Sequence, residues 1–211
     1  MRIAGIYLAA GQSRRMGYPK ISAELASGLP LGRAALLELL KLCLDPFVVV
    51  VRPSDSLAWL PYRNVDGGTS AGYTIAVCSD AHEGMSQSIR CALREIEVHS
   101  NEAEVDAVLI TLADNPFITS ALLTSWLSAF REDPTLTYIA AEWMGNPMPP
   151  VLWGRSAFDE LRKLEGDAGG RHLFHSDKFR GLRIPIDENA AVDVDTPADL
   201  KSVRDRWLEQ L

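Results

Sequence analysis

Residues 6–20 read IYLAAGQSRRMGYPK: an apolar run from Ile6 to Ala10, then a loop that carries Gly11, Ser13, Arg14, Arg15, Gly17 and Lys20. In an open parallel sheet, the loops that leave the carboxyl ends of the strands build the ligand crevice. A buried strand followed at once by glycines and cations is therefore expected to meet an anion. Gly11 and Gly17 can take φ > 0 and bring backbone N–H groups close, while Arg14, Arg15 and Lys20 add the positive charge that a polyphosphate demands. The spacing fits neither G-x-x-x-x-G-K-[ST] nor G-x-G-x-x-G, so a different phosphate grip is implied. The competing reading is a solvated turn with two surface arginines.

Outward from this stretch the chain alternates two periods. Apolar runs rich in β-branched residues recur at Ile3–Ala9, Phe47–Val51, Thr74–Val77, Val105–Leu112 and Tyr138–Ala141. Helical spacing fills most of the gaps, at Ala34–Leu44, Gln87–Val98 and Ala121–Phe130. Alternation of this kind predicts an α/β fold, and runs apolar on both faces, such as DAVLITL, belong inside a parallel sheet covered by helices. The last third is less regular. GNPMPPVLW and GDAGGRHLF read as loops or a small excursion around residues 143–180, and GLRIPI resumes a strand pattern. The chain closes on DVDTPADLKSVRDRWLEQL, where Thr196 and Asp199 have capping-box spacing and Pro197 opens an amphipathic helix.

The 211 residues suit one domain, and 47% hydrophobic with 23% charged residues argues against disorder. A net charge of -7 excludes general affinity for nucleic acid, so any anion site must be local. Cys43, Cys78 and Cys91 form no CxxC pair, which suits a reducing compartment and a cytoplasmic protein. Met1–Ala10 is better read as a buried strand than as a signal segment, since Gly5 breaks it and two arginines follow. No stretch reaches the ~18 apolar residues of a membrane helix.

Two acidic positions complement the cationic loop. Asp114, in LITLADNPFIT, directly follows an apolar strand, where its carboxylate can hold a divalent cation against phosphate oxygens. It can equally form a turn, or cap the helix that starts near Thr119. In VDVDTP, Asp193 and Asp195 end a strand-like run. Asp195 or Thr196 has a ready role as N-cap, which leaves Asp193 without one. Mg²⁺ commonly takes one or two protein carboxylates, and Asp114 with Asp193 suffices.

The segments LAAGQSRRMGYPK, GMSQSI, LADNPFI and DVDTPADL, in this order and at these separations, resemble the nucleotidyltransferase family of the molybdenum cofactor cytidylyltransferases, close to the guanylyltransferases of the same pathway. The match spans about Ile3 to Leu200. The resemblance implies a Rossmann-like, three-layer nucleotidyltransferase fold with a mostly parallel central sheet flanked by helices. It also implies that Leu8, Ala9, Ala10, Gly11, Ser13, Arg15 and Lys20 bind the nucleotide triphosphate, with Asp114 and Asp193 as Mg²⁺ ligands. Arg15, Lys20 and Asp114 then carry the catalysis. Within the family an LAAG loop goes with CTP and LAGG with GTP, so Ala10 points to cytidine. By the same resemblance Ser86 and Ser88 contact the nucleotide; helix N-terminal N–H groups and hydroxyls can take an anion or a base edge, although Ser86 serves equally well as an ordinary N-cap.

The expected reaction is transfer of CMP from CTP to the phosphate of a molybdopterin-type acceptor, serving a client molybdoenzyme such as xanthine dehydrogenase. Alternatives are a relative that uses GTP or a sugar phosphate, and a non-catalytic cofactor carrier. The sequence departs from the family at GNPMPPV, which has extra prolines where the pterin partner binds, and at ISAELASGLPLGRAAL. His172 and His175 lack a third ligand, no G-x-S-x-G elbow supports a hydrolase, and the tryptophans Trp59, Trp126, Trp143, Trp153 and Trp207 are expected in packing roles.

Overall fold

The computed structural model describes residues 1–61, 72–100, 104–167 and 170–209. Of the segment GDAGGRHLF, Ala168 and Gly169 thus lie outside the described residues. The strands are β1 (Ile3–Leu8), β2 (Glu24–Ala26), β3 (Leu29–Pro30), β4 (Phe47–Val51), β5 (Thr74–Val77), β6 (Ala107–Leu112), β7 (Tyr138–Trp143), β8 (Asn146–Gly154) and β9 (Gly181–Pro185). The α-helices are α1 (Leu31–Leu39), α2 (Met85–His99), α3 (Ser120–Glu132), α4 (Phe158–Arg162), α5 (Glu188–Ala191) and α6 (Pro197–Glu209).

Seven strands form one sheet in the order β5-β4-β1-β6-β8-β7-β9. Every described pairing in it is parallel except those of β8, which runs against both β6 and β7. The mostly parallel sheet predicted above is therefore present. Its layers follow from the two-residue period of a strand. On β1, Ile3 and Tyr7 join the core on one face with Leu36 and Leu39 of α1 and Leu123, Trp126 and Phe130 of α3. Ala4, Ile6 and Leu8 face the opposite core, built with Ile89, Leu93 and Ile96 of α2 and Phe158 and Leu161 of α4. With both faces covered, the central strands are apolar throughout, and each fully buried large side chain contributes about 1.5–3 kcal/mol.

A third, smaller core holds Met16, Leu25, Leu31, Ala34, Phe117, Val194, Leu200 and Val203. It fastens the loop after β1, the turn after β6 and helix α6 to one another, and so fixes three sequence-distant segments at one sheet edge.

Several expectations need correction. The first helix spans Leu31–Leu39, not Ala34–Leu44. It starts earlier because Pro30 is suited to the helix entrance, and it stops because the chain must turn back through Asp45, whose N–H bonds Ile3, and Pro46, ahead of β4. GNPMPPVLW is a strand and not a loop, namely β8. Its prolines are tolerated because β6 pairs only with Val151–Gly154, and the register against β7 shifts between Ala140 and Ala141, opposite Met148 and Val151. The run VDV before Asp195 is not a strand: Val192–Asp195 is extended chain that lies along the turn after β6. Trp59, Trp126 and Trp153 are buried, and Trp143 and Trp207 pack partly buried against the cores. Among the described residues, no helix is long and apolar enough to cross a membrane.

Candidate active site

The carboxyl ends of β4, β1 and β6 are held in register by main-chain bonds. Ala9 N–H donates to Val50 (2.9 Å) and Ala113 N–H donates to Leu8 (3.0 Å). The loop after β1 then turns at Ser13, which has φ 52°, with Met16 and Gly17 N–H both donating to the Ser13 carbonyl, and Gly17 has φ 76°. The left-handed positions are thus Ser13 and Gly17. Gly11, which could take φ > 0, does not; a side chain there would meet nothing within 4 Å, so its place is beside open space. Ser13 has a second role, its Oγ accepting from Lys20 N–H at 3.1 Å.

Lys20 is the centre of the charge arrangement. Only 7% exposed, it directs its ammonium to Asp114 Oδ2 (2.6 Å) and Asp195 Oδ1 (2.8 Å). Burial alone pulls an ammonium down, but the two carboxylates outweigh it and hold Lys20 above its ordinary pKa. Arg15 pairs with the other oxygen of Asp195 (2.5 Å) and is largely exposed. Arg14, also exposed, bonds Gln12 Oε1 (2.7 Å).

Asp114 does not cap α3. That role belongs to Thr119, whose hydroxyl accepts from Leu122 N–H. Instead the Asp114 carbonyl accepts from Val194 N–H (3.1 Å), and the buried Asn115 amide donates to Val192 (3.0 Å). Two acidic motifs nearly eighty residues apart are stitched side by side by these bonds.

The sequence left the cap of α6 to Asp195 or Thr196. Thr196 takes it: its Oγ1 accepts from Asp199 N–H (3.2 Å) while Asp199 accepts from Thr196 N–H (2.7 Å), a reciprocal capping box. Asp195 is thereby free to hold Lys20 and Arg15. Asp193 sits at the rim of the same cleft; partial loss of water from its carboxyl, together with the like charges of Asp114 and Asp195, raises its pKa.

A cleft of about 440 Å³ gathers these groups. Leu8, Ala9, Ala10, Gly11, Ser13, Arg15, Lys20, Ser88, Asp114 and Asp193, all expected from the sequence, line it, and so does Arg14. Ser86 is not among the lining residues. Helix α2 starts at Met85 rather than near Gln87, and its N-cap residue, Gly84, has no side chain to cap it. Ser86 lies within its first turn, 1% exposed, with its hydroxyl unpartnered.

Two further acidic side chains stand on the wall. Asp195, which the sequence offered as a possible N-cap, lines it instead, and Asp167 was missed. Asp167 comes from the Gly-rich segment after α4, folded over the start of α2: its Oδ1 accepts from Met85 N–H (3.1 Å), and Ser86 N–H donates to Gly166 (3.1 Å). Gly84 makes that approach possible, since a Cβ at its φ of 127° would lie 2.5 Å from the Gly166 carbonyl. No spacing signal in the sequence marks it. His172 and His175 are exposed on a 3-10 turn away from the cleft lining.

Among the described residues, no three His, Cys, Asp or Glu side chains converge as a ready metal-binding group. A site of two carboxylates is nonetheless a chemical fit for a hard divalent cation. Asp114 Oδ1 is buried without a partner, and Asp193 is crowded by like charge.

Comparison with known proteins bears on the family and the fold. Over 207 residues, 96% of each chain, the protein is 29% identical to the purine catabolism protein PucB of Bacillus subtilis. It is 28% identical over 172 residues to a molybdenum cofactor guanylyltransferase of Mesorhizobium japonicum, covering 81% of this chain and 76% of that one. Among solved structures, Rv0371c of Mycobacterium tuberculosis superposes with a TM-score of 0.78 at 22% identity, covering 97% and 98% of the two chains, and its complex with manganese gives 0.73. Residues 5–181 match the model of the MobA-like NTP transferase domain. The chain thus belongs to the MobA-like NTP transferase domain family.

Proposed function

We propose that the chain acts as one nucleotidyltransferase domain that transfers CMP from CTP to the terminal phosphate of a molybdopterin-type acceptor. The observation that carries the reading is that Arg14, Arg15 and Lys20 line the same cleft as Asp114 and Asp193. A phosphate oxygen of the acceptor attacks the α-phosphorus of CTP, the bond to the bridging oxygen of the β-phosphate breaks, and pyrophosphate leaves in line. Such chemistry is accelerated by positioning and charge neutralisation more than by a protein nucleophile. Leu8, Ala9, Ala10, Gly11 and Ser13 form the backbone wall against which the triphosphate lies, and Ser88 borders it from α2. Arg15 and Lys20 neutralise charge that builds on the departing pyrophosphate. Asp114 and Asp193 would hold Mg²⁺, which supplies positive charge to the α-phosphate and the attacking oxygen.

Ala10 in the LAAG loop favours cytidine. The likeness to a guanylyltransferase supports GTP as the second reading. The name of the PucB relative supports a client that acts in purine catabolism, in keeping with a molybdenum hydroxylase such as xanthine dehydrogenase, and three free cysteines suit a cytoplasmic setting. Pyrophosphate release from CTP, GTP, ATP and UTP, each with a molybdopterin acceptor and with a sugar phosphate, tests the reading. CTP with the pterin is expected to dominate. Dominance of GTP transfers the reading to the guanylyltransferase branch, dominance of a sugar phosphate removes the pterin, and nucleotide binding without turnover leaves a carrier.

A further inference from the structure

The cleft is lined by three cationic side chains, Arg14, Arg15 and Lys20, and four carboxylates, Asp114, Asp167, Asp193 and Asp195. These are not distributed as separate phosphate and metal subsites. The Lys20 ammonium lies between Asp114 and Asp195, at 2.6 and 2.8 Å, and is 7% exposed, so water screens it little. Asp114 is also the better supported of the two cation ligands, with its Oδ1 buried and unpartnered. One carboxylate therefore presents one oxygen to a tethered cation and the other to nothing.

We infer that Lys20 is a placeholder for the metal: in the nucleotide-free protein its ammonium satisfies Asp114 and repels a divalent cation, and the arriving triphosphate draws it away and opens the carboxylate. The inference rests on the nucleotidyl-transfer reading above and adds an order to it. The chain on either side allows the movement to be confined to the side chain, because Lys20 N–H stays bonded to Ser13 Oγ and the main chain begins a 3-10 turn at this residue. A flexible four-carbon stem lets a compact ammonium exchange a carboxylate for a phosphate, which a rigid guanidinium fork does less readily. Asp195 keeps a partner in the exchange, since Arg15 holds its other oxygen. Asp114 has no second described cation, so it is the carboxylate left for the metal. By linkage, whatever nucleotide gains from displacing Lys20 is gained equally by the metal.

The experiment is titration of Mn²⁺ into the full chain without nucleotide, read from the free-ion electron paramagnetic resonance signal. Lys20→Met and Lys20→Gln are compared with the wild type and with Arg15→Met, which removes an equal charge from Asp195 alone. Lys20→Gln keeps donors for both carboxylates and so guards against a folding defect in Lys20→Met; circular dichroism melts identify folded samples. Both Lys20 variants are expected to bind Mn²⁺ at least about tenfold more tightly than wild type, and Arg15→Met by no more than about threefold, the scale of an exposed charge. Unchanged or weaker Mn²⁺ binding in the folded Lys20 variants overturns the placeholder, as does an equal gain in Arg15→Met. Retention of radiolabelled CTP and GTP by wild type is measured separately. Loss of both would remove the nucleotide reading and this inference with it, whereas retention with unchanged Mn²⁺ affinity removes the placeholder alone.

Discussion

The two halves of the sheet are built by the same rule and used differently. In β5-β4-β1-β6 all four strands run parallel and deliver their carboxyl ends to one edge, where the cleft forms. In β8-β7-β9 the reversed strand β8 interrupts that edge, and no residue of these three strands lines the cleft. Yet β8 is as buried as its neighbours over its final turn against β6, with Leu152 0% exposed and Trp153 1%. Burial is thus no guide to function here; position across the sheet is. The half β5-β4-β1-β6 places charge, and the half β8-β7-β9 closes the hydrophobic layers and returns the chain so that Asp193 and Asp195 reach the site.

That division yields graded tests. Leu152→Ala, in the reversed strand β8, is expected to lower the unfolding free energy by about 2–5 kcal/mol in urea denaturation while the folded fraction keeps its nucleotide affinity. Weakened nucleotide binding by the folded variant would dissolve the division of labour. Asp114→Asn, in the parallel half, should do the reverse, cutting pyrophosphate release roughly 100- to 1000-fold with little change in the melt. Turnover close to wild type would remove Asp114 from the mechanism.

The smallest effect concerns Asp193. A carboxyl whose folded pKa is raised binds protons more readily in the native state, so stability falls as pH rises from the ordinary carboxylate pKa through the folded one. Asp193→Asn should therefore stabilise the metal-free protein at neutral pH, by less than about 1 kcal/mol because the group is solvent-screened, and the gain should vanish in acid below the ordinary carboxylate range. Melting curves across pH, with and without a divalent cation, check it; a variant less stable than wild type at neutral pH contradicts the crowding of the three carboxylates.

The parts of the site that could be read beforehand are those written in local pattern. Strands β1, β4 and β6 were legible because a buried parallel strand is a continuous apolar run, and Asp114 was legible because it directly follows one. The Thr196 and Asp199 capping box was legible because its chemistry needs only a three-residue spacing. The Pro-rich stretch before Val151 misled, since proline argues against a strand unless the strand lacks a partner on one side, and a lack of partner is not a local property. Of the two glycines that could take φ > 0, Gly17 does and Gly11 does not, because a glycine permits a left-handed turn without requiring one; Ser13 supplies the other.

Residue order alone established an α/β chain, a cationic loop after the first strand and two acidic turns, because side-chain period, capping and turn chemistry act over a few residues. Which carboxylate answers which cation was settled by folding. Lys20 meets Asp195 across 175 positions, and Asp167 reaches Met85 across 82, through a shared core and main-chain stitches that bring remote segments together. Coulomb forces depend on distance in space, so the pairing of charges is a property of the packed molecule.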